Sequence, residues 1–310
     1  ERLGISPELL PDFYRCEDVV GEVTGRAAAE AGLVQGIEVA GGQVDCNAGW
    51  IGAGAIEVGD VQMNLGTCGN IGIIRNTKDK FKDMFNFQYT ADCMNTYITV
   101  TTTQTGGQTL RYLKENFSQV ETAMEGLIPG YDAFDYLNME AEQIPPGSEG
   151  LVVLPYFMGE RSPVWDSDAK GTIVGLSLTH TKGHLYRAFL EAVAYCLRDA
   201  MEATGEDLGE YILIAGGVTK SKVWRQIFAD VTGYPVVCPI YDVEANMGDV
   251  MLAGIGTGIL TYEEVKKWQV LDEKIMPDEE NHKKYNEYFR LYKNIYRHLK
   301  EDMKELKDIR

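Results

Sequence analysis

Apolar positions recur along the chain in two rhythms, and the rhythm assigns most of the elements. Tyr97–Thr103 (YITVTTT) is rich in β-branched residues and reads as a strand. The apolar runs Val61–Leu65 and Ile71–Ile74 flank Gly66-Thr67-Cys68-Gly69, and residues 41–75, with their nine glycines, predict a hairpin with a glycine-rich tip. Leu151–Phe157, Tyr211–Ala215 and Pro235–Pro239 predict further strands. Helical spacing governs Thr181–Thr204, where Leu185, Phe189, Ala192, Val193, Cys196 and Leu197 share a face. It returns from Lys283 onward, where Tyr285, Phe289, Tyr292, Tyr296, Leu299 and Met303 form an aromatic and apolar stripe. Shorter helices are predicted from Gly107 to Phe117, near Tyr131–Glu142, from the Gly216-Gly217 turn to Thr232, and over Ala245–Gly256. Residues 1–44 need only one helix, within Val23–Gly32, and one strand, Gly36–Ala40. The order β-β-β-α, then strand and helix alternating, predicts a layered α/β fold in which an antiparallel hairpin leads a mixed sheet.

Composition narrows the partners. The 310 residues are 45% hydrophobic and 25% charged, which excludes disorder and collagen-like repeats. With 29 Lys plus Arg against 47 Asp plus Glu, the net charge of −18 repels polyanions, so neither nucleic acid nor an anionic membrane is expected as a partner. The acidity sits in the body: residues 261–310 hold 12 basic and 12 acidic side chains. Six cysteines form no CxxC pair and lie in apolar or Gly-rich surroundings, which predicts buried thiols and a cytoplasmic location. No stretch approaches the ~20 apolar residues of a membrane span, and ERLGISPELLPDF lacks the basic start and apolar run of a signal peptide.

The chemistry is carried by turns rather than by nucleophile motifs. GxxxxGK[ST], strand-GxGxxG-helix, GxSxG and HExxH are all absent from the sequence. His180 and His184 stand four apart without a third ligand at suitable spacing, and are read as a solvent-facing pair at a helix start rather than a metal site. Three glycine-marked turns, Gly66-Thr67-Cys68-Gly69, Thr105-Gly106-Gly107 and Gly216-Gly217 to Ser221, each follow a strand or open a helix. Such turns bring backbone N–H groups close to an anion, and a helix dipole adds to the attraction. Together they point to phosphate binding in a cleft.

The segment Gly171-Thr-Ile-Val-Gly-Leu176, followed by His184-Leu-Tyr-Arg-Ala-Phe-Leu-Glu191, resembles the C-terminal signature of the FGGY carbohydrate kinases. Pro155–Pro163, Ala215–Gln226 and Ala229–Val236 flank it in the family's order, and Gly41-Gly-Gln-Val-Asp45 resembles the lead-in to its catalytic aspartate. The pattern is most similar to xylulokinase-like and gluconokinase-like members. The resemblance implies an actin-like, hexokinase-like ATPase fold, with a ribonuclease H-like mixed sheet flanked by helices. It also implies transfer of the γ-phosphate of ATP, with Mg2+, to a hydroxyl of a sugar such as xylulose or a related ketose or sugar acid. By position Asp45 corresponds to the general base, Gly66 and Thr67 to the second phosphate turn, Gly107 and Arg111 to a nucleotide contact, and Gly216, Gly217 and Ser221 to the adenosine motif. Two positions depart from the family: Cys68 stands where Ser is usual, and Met247-Gly248-Asp249 where Gly-Ala-Ala is common.

The family's N-terminal DxGT turn is absent from the chain. Residues 45–310 are therefore expected to be the C-terminal ATP-binding domain, with 1–44 a remnant of the preceding sugar-binding domain, and the chain alone is expected to be inactive. Arg161 is expected to pair with Glu160, and Arg187 to be structural or near the cleft. The C-terminal stripe is expected to pack on the domain, with a homodimer surface as the alternative. Two other readings stay open on the same fold: a non-catalytic nucleotide-binding protein, and an actin- or chaperone-like ATPase.

Overall fold

β-branched and apolar runs become strands, and helix-favouring stretches between them become the covering layers, in a computed structural model that describes residues 4, 6–205, 208–241 and 245–309. Along the chain run β1 (Val19–Glu22), α1 (Gly25–Ala31), β2 (Glu38–Ala40), α2 (Asp45–Gly52), β3 (Val61–Leu65), β4 (Gly69–Arg75), β5 (Phe85–Gln88) and β6 (Tyr97–Thr103). Then come α3 (Gly107–Phe117), α4 (Gln119–Glu125), α5 (Ala133–Glu142), β7 (Val152–Leu154), β8 (Thr172–Val174) and α6 (Lys182–Glu202). β9 (Ile212–Gly216), α7 (Lys222–Thr232), β10 (Val236–Val237), α8 (Ala245–Gly256), α9 (Tyr262–Trp268) and α10 (Glu279–Asp308) complete the order. Among the described residues no helix is long and apolar enough to cross a membrane.

Two compact units result. The first comprises Glu1–Ile56, Gln88–Thr96 and Val243–Gln269. Within it β1 and β2 pair antiparallel, so the expected single strand before residue 44 has a partner in Val19–Glu22. α2 replaces part of the expected glycine-rich loop: Asn47 to Gly52 are all buried, leaving no polar face to reveal a helix in the pattern. α2 packs against α8 closely enough that a Cβ on Gly248 would lie 1.8 Å from the Ala48 carbonyl oxygen, which accounts for glycine at that departure from the family pattern. Asp249, the other half of the departure, is exposed.

The second unit comprises Glu57–Phe87, Tyr97–Asp242 and Val270–Arg310. Its sheet has the order β10-β9-β3-β4-β6-β5, antiparallel across β3-β4 and β4-β6 and parallel across β3-β9 and β9-β10. The hairpin thus leads a mixed sheet, as predicted. α6 covers it; Phe189, Leu190, Val193 and Leu197 are buried among Met63, Leu65, Ile71 and Ile214. Burying each such side chain contributes about 1.5–3 kcal/mol. The predicted strand 151–157 is shorter, and β7 leaves the main sheet to pair with β8, inside the family signature. The C-terminal stripe packs on its own unit: Tyr285, Phe289, Tyr292 and Met303 are buried, and the Tyr292 hydroxyl lies 2.6 Å from that of Tyr156. The cysteines are all free, but only Cys196 and Cys238 are buried; Cys16, Cys46, Cys68 and Cys93 are half-buried, which corrects the expectation for those four.

Candidate functional site

Two turns of the second unit build the site. At the tip of the β3-β4 hairpin, the Gly66 N–H is donated to the Cys68 carbonyl at 3.1 Å. α3 begins against this tip. Gly107 donates its N–H to the Gly66 carbonyl at 2.8 Å and Gln108 to the Thr67 carbonyl at 3.2 Å. A Cβ on Gly107 would stand 2.9 Å from the Gly66 oxygen, so glycine here serves the close approach of helix to turn. The expectation that this helix start offers those amides to an anion is corrected: they grip the hairpin. Among the described residues, the amides of Thr67 and Cys68 have no backbone partner. A contact through the Cys68 backbone is indifferent to Cys replacing Ser.

A buried carboxylate fixes the loop that delivers α3. Glu160, 3% exposed, accepts the hydroxyls of Thr103 (2.7 Å) and Thr105 (2.8 Å) and the N–H groups of Gln104 (3.0 Å) and Arg161 (2.6 Å). Four donors make burial of this carboxylate affordable. Arg161 thus reaches Glu160 through its backbone, not through the guanidinium ion pair that was expected.

The second turn joins β9 to α7. Gly216 has φ 94° and ψ −163°, a region open in practice to glycine alone, and a Cβ there would lie 2.4 Å from the Leu65 carbonyl oxygen of β3. At Gly217 the nearest atom to an added Cβ is 3.9 Å away. Ser221 caps α7, its Oγ accepting the Trp224 N–H at 3.2 Å, and it donates to Asn138 Oδ1 at 2.9 Å. The Tyr186 hydroxyl donates to the same oxygen at 3.3 Å. Burial pushes the Tyr186 pKa up and the charges of Asp132 and Asp135 add to that, so the hydroxyl keeps its proton.

A cavity of about 650 Å3 opens on both turns. Gly66, Thr67, Gly107, Arg111, Gly217 and Ser221 all line it, whereas Gly216, the last residue of β9, does not. The pattern reading missed Phe134, Asn138, Tyr186, Lys220 and Trp224 as lining residues. Lys220 had a signal, since it lies inside the glycine turn. Asn138 had none, because which face of α5 meets α7 is settled only by packing. Arg111 and Lys220 are exposed cations beside the acidic Asp132 and Asp135.

Asp45 lies in the first unit, exposed in the first turn of α2, where its Oδ1 accepts the Cys46 N–H at 2.7 Å. The lead-in is tied down by Gln43, whose amide donates to Thr90 Oγ1. The signature histidines are not a solvent-facing pair: His184 is 8% exposed and its Nδ1 accepts the Thr181 N–H at 3.1 Å in a capping box. Arg187 is structural. It bonds Glu191 (2.9 Å), the Ala141 carbonyl and the Tyr285 hydroxyl (both 3.0 Å), and burial, outweighing that arginine, pushes the Glu191 carboxyl up.

Residues 61–257 match the FGGY family of carbohydrate kinases, C-terminal domain. The chain belongs to this family. It is 30% identical over 315 residues to the xylulose kinase of Bacillus subtilis (strain 168), covering 100% of this chain and 60% of that protein. It is also 30% identical to the gluconokinase of Bacillus licheniformis, covering 98% and 60% of the two. The crystal structure of xylulose kinase from Rhodospirillum rubrum superposes with a TM-score of 0.82 at 32% identity, over 96% of this chain and 59% of that one. The chain therefore spans about three fifths of the length of its FGGY relatives. Its mixed sheet flanked by helices is the actin-like ATPase fold of these kinases.

Proposed function

We propose that the chain is the nucleotide-binding portion of an ATP-dependent carbohydrate kinase, which transfers the γ-phosphoryl group to a hydroxyl of xylulose or a related ketose or sugar acid. The observation that carries this reading is the single cavity lined by Gly66, Thr67, Gly107, Arg111, Gly217 and Ser221 in a member of the FGGY family. The nucleotide phosphates lie at the hairpin tip, where the Thr67 and Cys68 amides have no backbone partner, and such donors stabilise charge that builds during transfer. Gly66 and Gly217 leave room for them, because a Cβ at Gly66 would meet nothing within 4 Å. Asp45 accepts the proton of the attacking sugar hydroxyl, a step worth about 10²–10⁴ in rate for a well-placed base. Residues 45–310 then constitute the ATP-binding portion, and 1–44 adjoin a preceding sugar-binding domain.

Magnesium fits this site as a companion of the phosphates. Among the described residues no three His, Cys, Asp or Glu side chains form a metal-holding group, and Mg2+ is commonly carried by phosphate oxygens and water. When bound it supplies charge neutralisation of the transferring group. The test is sugar-dependent ADP release, measured over a panel of ketoses and sugar acids, with the chain joined to the N-terminal portion that its relatives carry. One sugar should turn over, and Asp45→Asn should lower kcat at least about 100-fold with ADP affinity unchanged. ATP hydrolysis indifferent to every sugar would favour the ATPase reading instead.

A further inference from the structure

We propose that Asn138 is a specificity-determining residue of the cavity, a donor-only group that pairs with a ring-nitrogen acceptor of a purine base. This rests on the nucleotide reading above and adds to it the base that is selected and how. Asn138 lines the cavity from α5 together with Leu110, Phe134, Tyr186 and Trp224, an apolar and aromatic wall suited to the faces of a flat heterocycle. The phosphate-binding amides lie in a different cluster, at the hairpin tip.

The orientation of the carboxamide follows from its neighbours. Ser221 Oγ accepts the Trp224 N–H and donates its proton to Asn138 Oδ1. The Tyr186 hydroxyl supplies a second donor to the same oxygen. Oδ1 has two lone pairs and both are taken, by the Ser221 and Tyr186 hydroxyls. Nδ2, with two N–H groups and no partner among the described residues, is what remains for a ligand. A group that only donates can bond a purine N1, N3 or N7, but it cannot accept from an exocyclic amine. Selection by Asn138 is therefore for a ring acceptor and is blind to the adenine amino group.

The experiment is calorimetric titration of the chain with ADP, 1-deaza-ADP, 3-deaza-ADP and 7-deaza-ADP in magnesium buffer, for wild type, Asn138→Ala and Asn138→Asp. The aspartate keeps an acceptor for Ser221 and Tyr186 and removes the donors, while adding a negative charge beside Asp132 and Asp135. Both variants should bind ADP about threefold to tenfold more weakly. One analogue, the one lacking the paired acceptor, should lose the same factor on wild type and lose nothing more on the variants. Since each deaza analogue removes one ring acceptor and keeps the exocyclic amine, the three analogues cover N1, N3 and N7. Equal binding of all four nucleotides to wild type would overturn the proposal without needing any variant to fold, and so would losses that multiply between analogue and variant. Failure of wild type to bind ADP at all would overturn the nucleotide reading together with this one, so the two failures are distinct.

Discussion

The hairpin tip and the β9-α7 turn open on the same cavity, and each carries a pair of glycines that do opposite things. At the hairpin, Gly107 lets α3 come within hydrogen-bond distance of the tip, whereas Gly66 has nothing near the position of a Cβ. At the other turn, Gly216 is held at positive φ against the Leu65 carbonyl, whereas the adjacent Gly217 faces open space. One glycine of each pair is demanded by the protein's own backbone. The other has no such demand within the chain, and a ligand that approaches the backbone supplies one. Adjacent identical residues can thus answer to folding and to binding separately, and substitution separates them.

The largest effect should come from Gly216→Ala. The new methyl group must leave a φ of 94° or push on a carbonyl of the central strand at 2.4 Å, and either should cost about 2–5 kcal/mol. Urea unfolding should show a lowered midpoint. A loss under about 0.5 kcal/mol would mean that the two turns are not divided as described.

Gly217→Val is the counterpart. Its φ lies outside the left-handed region and its nearest neighbour is 3.9 Å from a Cβ, so stability should stay within about 1 kcal/mol of wild type. The side chain should fill space that the nucleotide needs, weakening ADP at least about tenfold in calorimetry. Unimpaired binding by a folded variant would remove Gly217 from the site.

How far this division was readable beforehand depended on what each residue's role rests upon. Roles set by neighbours in the chain were legible: the hairpin, β6, α6 and the buried stripe of α10 all follow from period or β-branching, and the cavity-lining glycines from their place between strand and helix. Roles set by convergence in space were not. Nothing near Asn138 shows that Ser221 and Tyr186 will meet it, and nothing near Gly107 shows that its amide will be used by Gly66. α2 leaves no period because Asn47 to Gly52 are all buried and the helix is dense in glycine, and β5, β8, α4 and α9 because three to seven residues are too few to display one. Adjacency suggests an ion pair for Glu160, whereas three donors from β6 and its loop, with the Arg161 N–H, are the partners.

Acid should separate the two turns by a smaller margin. α3, which grips the hairpin tip, is anchored at its far end by Lys114, whose ammonium lies 2.7 Å from Glu125 and over the Phe134 ring at 4.8 Å. The hydrogen bond from Lys114, helped by the Ala133 N–H, holds the Glu125 carboxyl below the usual carboxylate range. A depressed carboxylate contributes stability that is present above its unfolded pKa and lost as pH falls through the folded one. The β9-α7 turn is fastened by neutral groups, Ser221, Asn138 and the protonated Tyr186, which do not titrate in that window. Amide exchange followed downward from neutral pH, corrected for its intrinsic acid dependence, should therefore lose protection in α3 and α4 before the Gly217–Ser221 turn; α7 beyond it has a depressed carboxylate of its own, Asp272 on Arg225. Glu125→Gln should reproduce the α3 and α4 loss at neutral pH and flatten its pH dependence. Equal loss in α3 and at the Gly217–Ser221 turn, or a pH dependence unchanged in Glu125→Gln, would show that the hairpin's grip is set elsewhere than at Lys114.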